Sequence, residues 1–515
     1  MERKLVMAKQ ERPNILWYCT DQQRYDTINA LGNSHIHTPN LDALCEEGVG
    51  FTRAYTQSPI CTASRATFLT GRYPNSHHVY RNNNEYFPPN EVLVTKLLAD
   101  AGYDCALAGK LHLSLAKKGN LERRPDDGYR IFFWSNHPNP DYPYGHDYAI
   151  WLEEEKGVDP VELYGALSGQ IGAGVPTEYH QTTWCSEMAI RFITEKRDGP
   201  WLMSINPFDP HPPFDPPQEY LERYDPEKLP YPLFRESDIE RQKAFRHFEQ
   251  QTTEAINPLT SSDKDNITGS VDRGVMGSVP PSAYDARLVK ACYYGMIELI
   301  DDQFKRIIDT LDSTGQRENT LIIYMSDHGE LLGDHGLIYK GCRFFESLVR
   351  VPLIISWPAK GVKSIKSDAL VELVDLAPTL LEAAGLEVPY LMQGKSLLPL
   401  LTGQSDPNHH KYYVLSEYND ALAGHPAHTH GAMYCDGRYK ISIYEGETIG
   451  ELFDLESDPG KFLNLWDDPQ SASLKSELIL RHFQAYLATT SAGVRHATEQ
   501  WPGKGHAPKS RSVYD

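Results

Sequence analysis

Regularly spaced cysteines are missing from this chain. Its 515 residues contain 8 cysteines scattered without pairing, which favours reduced thiols, or a mature chain whose leader has been removed. Long hydrophobic runs are missing as well. The apolar stretch after Pro13 ends at Asp21, too short for a signal sequence or a membrane span, and it reads as a buried strand. Localisation therefore stays open between cytoplasmic and, after loss of a leader, periplasmic or secreted. Positive charge is scarce: 50 Lys and Arg stand against 70 Asp and Glu, for a net charge of −20. That balance argues against a nucleic-acid or anionic-membrane partner, both of which need clustered cations. An anionic substrate would have to be held by local cations. Internal repeats and low-complexity tracts are also absent, and nothing in the sequence speaks to oligomeric state.

What is present is a large apolar content, 40%, with 11% aromatic residues, enough for a sizeable core and more than one structural unit. Asn14 to Thr20 is a continuous apolar run of the kind found in parallel sheets, closed by Asp21-Gln22-Gln23-Arg24. Thr320 to Ser326 is a second such run, closed by Asp327-His328-Gly329 and preceded by an amphipathic helix over Ala286 to Leu311. Ligands gather at such strand ends. Between the two runs, patterning predicts helices at Val92–Ala101 and Thr183–Lys196 and strands at Tyr103–Ala108 and Pro200–Asn206. A further helix is expected at Leu370–Gly385, and Pro207 to Asp285 reads as surface insertions around the site.

This alternation predicts an α/β fold with a mainly parallel central sheet sandwiched by helices. Past the turn-rich stretch Gly403 to His410, strands at Lys411–Ser416, Gly431–Tyr434 and Tyr439–Tyr444 and a helix near Ser473–Ala488 predict a smaller α+β subdomain. The expected division is 12–402 for the larger unit and 403–515 for the smaller.

The segment Cys61-Thr-Ala-Ser-Arg-Ala-Thr-Phe-Leu-Thr-Gly-Arg72 resembles the signature of formylglycine-dependent sulfatases, which belong to the alkaline-phosphatase-like superfamily. Ala63 stands where the commonest form has Pro. A plain thiolate attacking a sulfate ester would be left with an adduct that has no easy exit. In the family the cysteine is oxidised by a formylglycine-generating maturation enzyme, and the aldehyde hydrate offers one hydroxyl to attack and a second to expel sulfate. Arg65, on a helix expected to start near Ser64, is placed to contact the modified residue or the metal ligands.

Taken alone, an Asp after an apolar strand is more often a helix N-cap. Together with Cys61, Asp21 and Asp327 become hard oxygen ligands for one divalent cation, with His328 adding a nitrogen and Gln22 a neighbouring amide. Calcium is the expected ion, manganese or magnesium the alternatives. The Asp-Gln and Asp-His pairings resemble choline sulfatases, polysaccharide sulfatases and phosphonate monoester hydrolases. They keep a phosphonate or phosphodiester substrate beside the sulfuric ester.

Gly102 to His112 resembles the second sulfatase signature, with Cys105 in place of the usual Thr. An extended backbone would send Lys110 and His112 to the same face. The resemblance implies that Lys110 neutralises a sulfate oxygen and His112 takes the formylglycine proton. It further implies that His211, in Pro210-His-Pro-Pro-Phe214, and Lys340 contact sulfate and the leaving group, and that Asn82 touches substrate. Glu451 to Leu465 resembles a recurring element of the family's smaller domain. The implied activity is hydrolysis of a sulfuric ester, expected on a sulfated carbohydrate or another small sulfated molecule, with release of inorganic sulfate. Candidate specificity residues are His425, His428, His430, Tyr142 and Tyr144, which as loop residues need no special role.

Overall fold

The computed structural model describes residues 12–82, 84–116, 121–138, 146–167, 171–245, 247–250, 285–422, 428–491 and 493. In the larger unit the strands are β1 Asn14–Thr20, β2 Val49–Tyr55, β3 Asp104–Gly109, β4 Ile131–Trp134, β5 Trp201–Asn206, β6 Thr320–Ser326, β7 Arg350–Ser356, β8 Ile365–Ser367 and β9 Val371–Glu372. They form one sheet in the order β4, β3, β5, β1, β6, β7, β2, β8, with β9 also on β2. Pairing is parallel from β4 through β6 and antiparallel where β7 meets β6 and β2.

The continuous apolar runs follow from burial on both faces. Ile15, Trp17 and Cys19 of β1 point into one layer and Leu16 and Tyr18 into the other. The first layer is covered by α2 Cys61–Thr70, α3 Val94–Asp100 and α6 Leu376–Ala383; the second by α1 Pro39–Glu47, α4 Gln181–Thr194 and α5 Ala286–Ser313.

Three expectations need correction. Helix α2 begins at Cys61 and not near Ser64, because Ile60 is still extended and its carbonyl already accepts the Ser64 N–H at 3.0 Å. The segment expected as a helix over Leu370–Gly385 opens as a strand, since Val371 and Glu372 pair with Ala54 and Tyr55 of β2 before α6 starts. The stretch after Pro207 is more than surface. Phe214 is fully buried, and Phe245 and Phe248 join the core under the second sheet; residues 251–284 lie outside the described residues.

The second unit is an antiparallel sheet of β10 Val414–Asn419, β11 His430–Cys435, β12 Tyr439–Tyr444 and β13 Gly450–Asp454, with α7 Ala472–Ala488 on one face. Sequence reading missed β13 as a strand, although its Glu-Leu-Phe-Asp stretch had been singled out. Gly403–His410 lies between the last turn of the larger unit and β10.

β10 is stitched to the larger unit by the Glu417 N–H, which donates to the Gln57 carbonyl at 2.9 Å. The Glu417 carboxyl is buried, with one oxygen lacking a partner. Burial pushes its pKa up to about 8, partly offset by a hydrogen bond from Tyr486 of α7. Between the ordinary carboxyl range and about pH 8 the native state therefore holds a proton that the unfolded chain has released, so this group lowers stability as pH rises through that window. Glu417→Gln removes the titration. Its melting temperature is expected to match the parent near pH 5 and to exceed it increasingly towards pH 8, as read by thermal scans across that range.

Candidate active site

The register of β1 and β6 builds the site. Thr20 pairs with Ser326, so Asp21 and Asp327 emerge side by side at the carboxyl ends of neighbouring parallel strands, both fully buried. Helix α2 points its N-terminus at them with Cys61 as its first residue. Asp21, Cys61, Asp327 and His328 bring one ligand atom each to within 4.8 Å of one another. His328 Nδ1 donates to the Gly329 carbonyl at 2.8 Å. Its Nε2 lies 3.0 Å from Cys61 Sγ, so the outer hydrogen bond fixes the tautomer that faces inward.

Two buried carboxylates this close demand cations. Arg65, one turn into α2, donates from Nε to Asp327 Oδ2 at 2.9 Å and reaches Asp21 Oδ2 at 3.5 Å. Lys110 Nζ lies 2.5 Å from Asp21 Oδ2. Burial alone would raise the Asp21 pKa, but Lys110 first, with Arg65 and Lys340, overcomes it and holds the carboxyl well below its usual range. Lys110 shows the complement: burial works against its charge, and Asp21 and Cys61 still raise its pKa.

Lys340 Nζ closes the opposite side, 2.8 Å from Gln22 Oε1, 3.0 Å from Cys61 Sγ and 3.0 Å from His211 Nε2. His211 sits on a loop with cis Asp209–Pro210 and Pro212–Pro213 bonds, and its Nδ1 donates to the Pro212 carbonyl at 2.7 Å. Burial, then Lys340, holds its imidazole neutral. Cys61 differs from the other cysteines. Burial raises the pKa of Cys19, Cys45, Cys105, Cys185, Cys292, Cys342 and Cys435. At Cys61, burial and Asp21 raise it too, yet Lys110, Lys340 and His328 turn the net direction downward.

The structure thus brings Asp21, Gln22, Cys61, Arg65, Lys110, His211, Asp327, His328 and Lys340 into one cluster. Lys110 and His112 do not share a face through extended backbone, because β3 ends at Gly109 and His112 adopts a left-handed conformation, φ 57°. Gly109 has φ 110°, and a Cβ there would meet the Asn206 carbonyl oxygen at 2.0 Å, so only glycine lets Lys110 turn into the site. His112 nonetheless lies in the field of the same cations. Burial, then Lys110 and Arg65, holds its pKa well below normal. Asn82 Oδ1 accepts the Thr62 N–H at 3.2 Å, capping α2 beside Cys61. Its own N–H donates to Ala421 at 3.0 Å. Of the specificity candidates, His428 is exposed and His430 pairs with Glu445 at 3.0 Å, while Tyr142, Tyr144 and His425 lie outside the described residues.

Sequence reading missed two supports. Glu330 accepts the Gln22 side-chain N–H, together with the N–H groups of Leu332 at 2.8 Å and Tyr339 at 2.5 Å, which turns Gln22 Oε1 inward. Ser64 Oγ donates to the Asp327 carbonyl at 2.6 Å. The Glu after Asp-His-Gly and the Ser of the Cys61 segment were in view, but nothing in their spacing assigned these partners.

The converging donors, two carboxylates and an imidazole with a fixed tautomer beside Cys61, fit a divalent cation. A buried cysteine at a helix N-terminus, an arginine, two lysines and a group of metal-binding donors thus meet at one strand-end cleft, an arrangement suited to hydrolysis of an anionic ester. The family model described as sulfatase matches residues 13–386, and one described as N-sulphoglucosamine sulphohydrolase, C-terminal, matches 333–485. An arylsulfatase of Clostridium perfringens is 30% identical over 470 residues, 88% of this chain and 90% of its own. An N-acetylglucosamine-6-O-sulfatase of Bacteroides thetaiotaomicron is 28% identical, over 91% and 85% of the two chains. Among solved structures, a phosphonate monoester hydrolase of Agrobacterium radiobacter superposes with TM-score 0.77 at 25% identity, covering 93% and 96%. The chain belongs to the sulfatase family and is a sulfuric ester hydrolase.

Arg65 carries the charge balance of both aspartates. In metal-free protein, Arg65→Met is expected to lower stability by about 3–5 kcal/mol, the usual effect of leaving buried charges unpaired. Chemical denaturation reads this directly; an unchanged midpoint would contradict it.

Proposed function

We propose that the chain hydrolyses a sulfuric ester on a sulfated carbohydrate, using a formylglycine made from Cys61 by a maturation enzyme and one divalent cation, calcium before manganese or magnesium. The observation that carries this reading is the placement of Cys61 as the first residue of a helix whose N-terminus faces Asp21, Asp327, His328 and Lys340. The carbohydrate is supported by likeness to the N-acetylglucosamine-6-O-sulfatase.

A formylglycine hydrate at position 61 supplies a hydroxyl nucleophile and a second hydroxyl for the exit step. Asp21, Gln22, Asp327 and His328 would hold the divalent cation, which when bound would supply charge stabilisation for the sulfuryl oxygens and lower the pKa of that hydroxyl. The remaining roles fall to side chains. Lys110 and Lys340 flank position 61 from two sides and hold the negative oxygens of the sulfate group, where preorganised charge lowers the barrier most. Lys340 also shares a proton with His211 Nε2 across 3.0 Å, so this pair can deliver a proton to the leaving alkoxide as the S–O bond breaks. The neutral imidazole of His112 takes the proton from the second hydroxyl. Arg65 pairs with both carboxylates and holds them in place, and Asn82 steadies the helix turn that carries the nucleophile.

Mass spectrometry of the peptide containing Cys61, from protein made in a maturation-competent host, is expected to show the exchange of the thiol and a hydrogen for a carbonyl oxygen. The matured protein should turn over an aryl sulfate. Cys61→Ala should lose at least roughly 1,000-fold in kcat, and chelation should abolish activity until calcium is restored. Undiminished turnover by Cys61→Ala would overturn the reading. The Asp-Gln and Asp-His pairings and the phosphonate monoester hydrolase fold keep one competitor in the same assay. A faster rate on phenyl phosphonate monoester than on aryl sulfate would move the substrate to that class.

A further inference from the structure

His112 is held in a way that its own backbone does not explain. It follows β3 by three residues, occupies the left-handed region, and is buried with its Nδ1 lacking any hydrogen-bond partner. Lys110, two residues earlier, is tied down independently. Its N–H donates to the Asn206 carbonyl at 2.9 Å, while its own carbonyl accepts from Arg65 at 2.9 Å and from the Asn206 amide at 2.8 Å. For His112 the restraint is the buried carboxylate of Glu122. One of its oxygens accepts the His112 N–H at 2.9 Å and the Trp134 indole N–H at 3.1 Å. The other accepts the Leu113 N–H and the Ser114 N–H, the latter at 3.3 Å.

Three successive main-chain N–H groups converging on one point make an anion nest, a concavity that binds negative charge. Here the chain fills its own nest. Four donors use up the four lone-pair directions of the carboxylate, so Glu122 has no capacity left to act as acid or base itself. Trp134, the fourth donor, ends β4, and its own N–H donates to Asp147 at 2.5 Å. Glu122 thus ties the turn after β3 to the neighbouring strand.

We propose that Glu122 is a positioning residue: it holds the turn that carries the His112 imidazole two residues past Lys110, without touching substrate. The inference rests on the reading above that His112 handles the proton of the nucleophile. Because Lys110 is anchored by strand pairing and by Arg65, losing Glu122 should release His112 and leave anion binding in place.

In matured enzyme, Glu122→Gln turns an amide NH₂ towards N–H donors that need an acceptor. It is expected to lower kcat on an aryl sulfate by roughly 10-fold or more, a part of what a positioned proton acceptor contributes, with KM within about 2-fold. In a His112→Ala background the same substitution should change kcat by less than about 2-fold, since residues acting as one unit are not additive. Equal losses in both backgrounds would overturn the proposal, as would a rise in KM with kcat unchanged. If Glu122→Gln does not fold, Trp134→Phe, which removes one donor and leaves the carboxylate, replaces it in the same cycle and should give a smaller kcat loss that also vanishes without His112. If the wild type hydrolyses neither sulfate nor phosphonate esters, the functional reading falls on its own. The His112 imidazole signal in ¹⁵N-histidine spectra, assigned with His112→Asn, then decides the positioning claim: displaced in the Glu122 or Trp134 variant for it, unmoved against it.

Discussion

Everything in the active site follows from two parallel strands meeting in register. Because Thr20 and Ser326 are partners, Asp21 and Asp327 arrive together in a dry cleft, where two like charges repel strongly and each loses its hydration. A fold can tolerate that only by supplying positive charge from elsewhere. Arg65 comes from α2, Lys110 from the end of β3 and Lys340 from the loop after β6, with a divalent cation as the further partner that the ligand set fits. In the proposed reaction the cations that make the aspartates bearable would also form the cradle for the anionic substrate, so that structural need and catalytic need fall to the same groups.

This coupling explains why an acidic protein can act on an anion. The net charge of −20 would repel a sulfate ester at long range, but that field is screened within about 8–10 Å at ordinary salt. Inside the cleft the balance is local and buried, so screening is weak. The contrast among the cysteines makes the point chemically: the same burial that suppresses ionisation at seven of them is overturned at Cys61 by Lys110, Lys340 and His328.

Legibility in the sequence tracked the pattern that each interaction leaves. The buried strands could be read because β1 and β6 contribute side chains to both layers, leaving an uninterrupted apolar run, and Asp21 and Asp327 stood out because they end those runs. Cys61 with Arg65, Lys110 and Lys340 were visible through motif spacing. What stayed hidden depends on contacts that leave none. The β9 pairing that delays α6 joins Val371 to the far-off Ala54 of β2, while the start of α2 at Cys61 and the left-handed turn at His112 rest on main-chain N–H contacts that neither period nor composition marks. Glu122 and Glu330 were invisible although their main-chain partners are near in sequence: an isolated Glu carries no sign that several main-chain N–H groups will converge on it.

These two buried glutamates also show how the site is kept rigid. Glu122 accepts four donors and Glu330 three, and each acts on a functional side chain at one remove. Glu330 grips the Gln22 amide so that its oxygen faces Lys340 and the ligand cluster, and Glu122 grips the turn that carries His112. A carboxylate is well suited to both tasks, since it accepts several N–H groups at once and its charge strengthens each contact. The division of labour is then clear in physical terms: Asp21 and Asp327 face the buried Arg65 and Lys110, whereas Glu122 and Glu330 face mostly main-chain N–H groups. Replacing either kind removes negative charge from the same small volume, but only the first kind alters the field at position 61 directly, and only the second changes where a neighbouring side chain points.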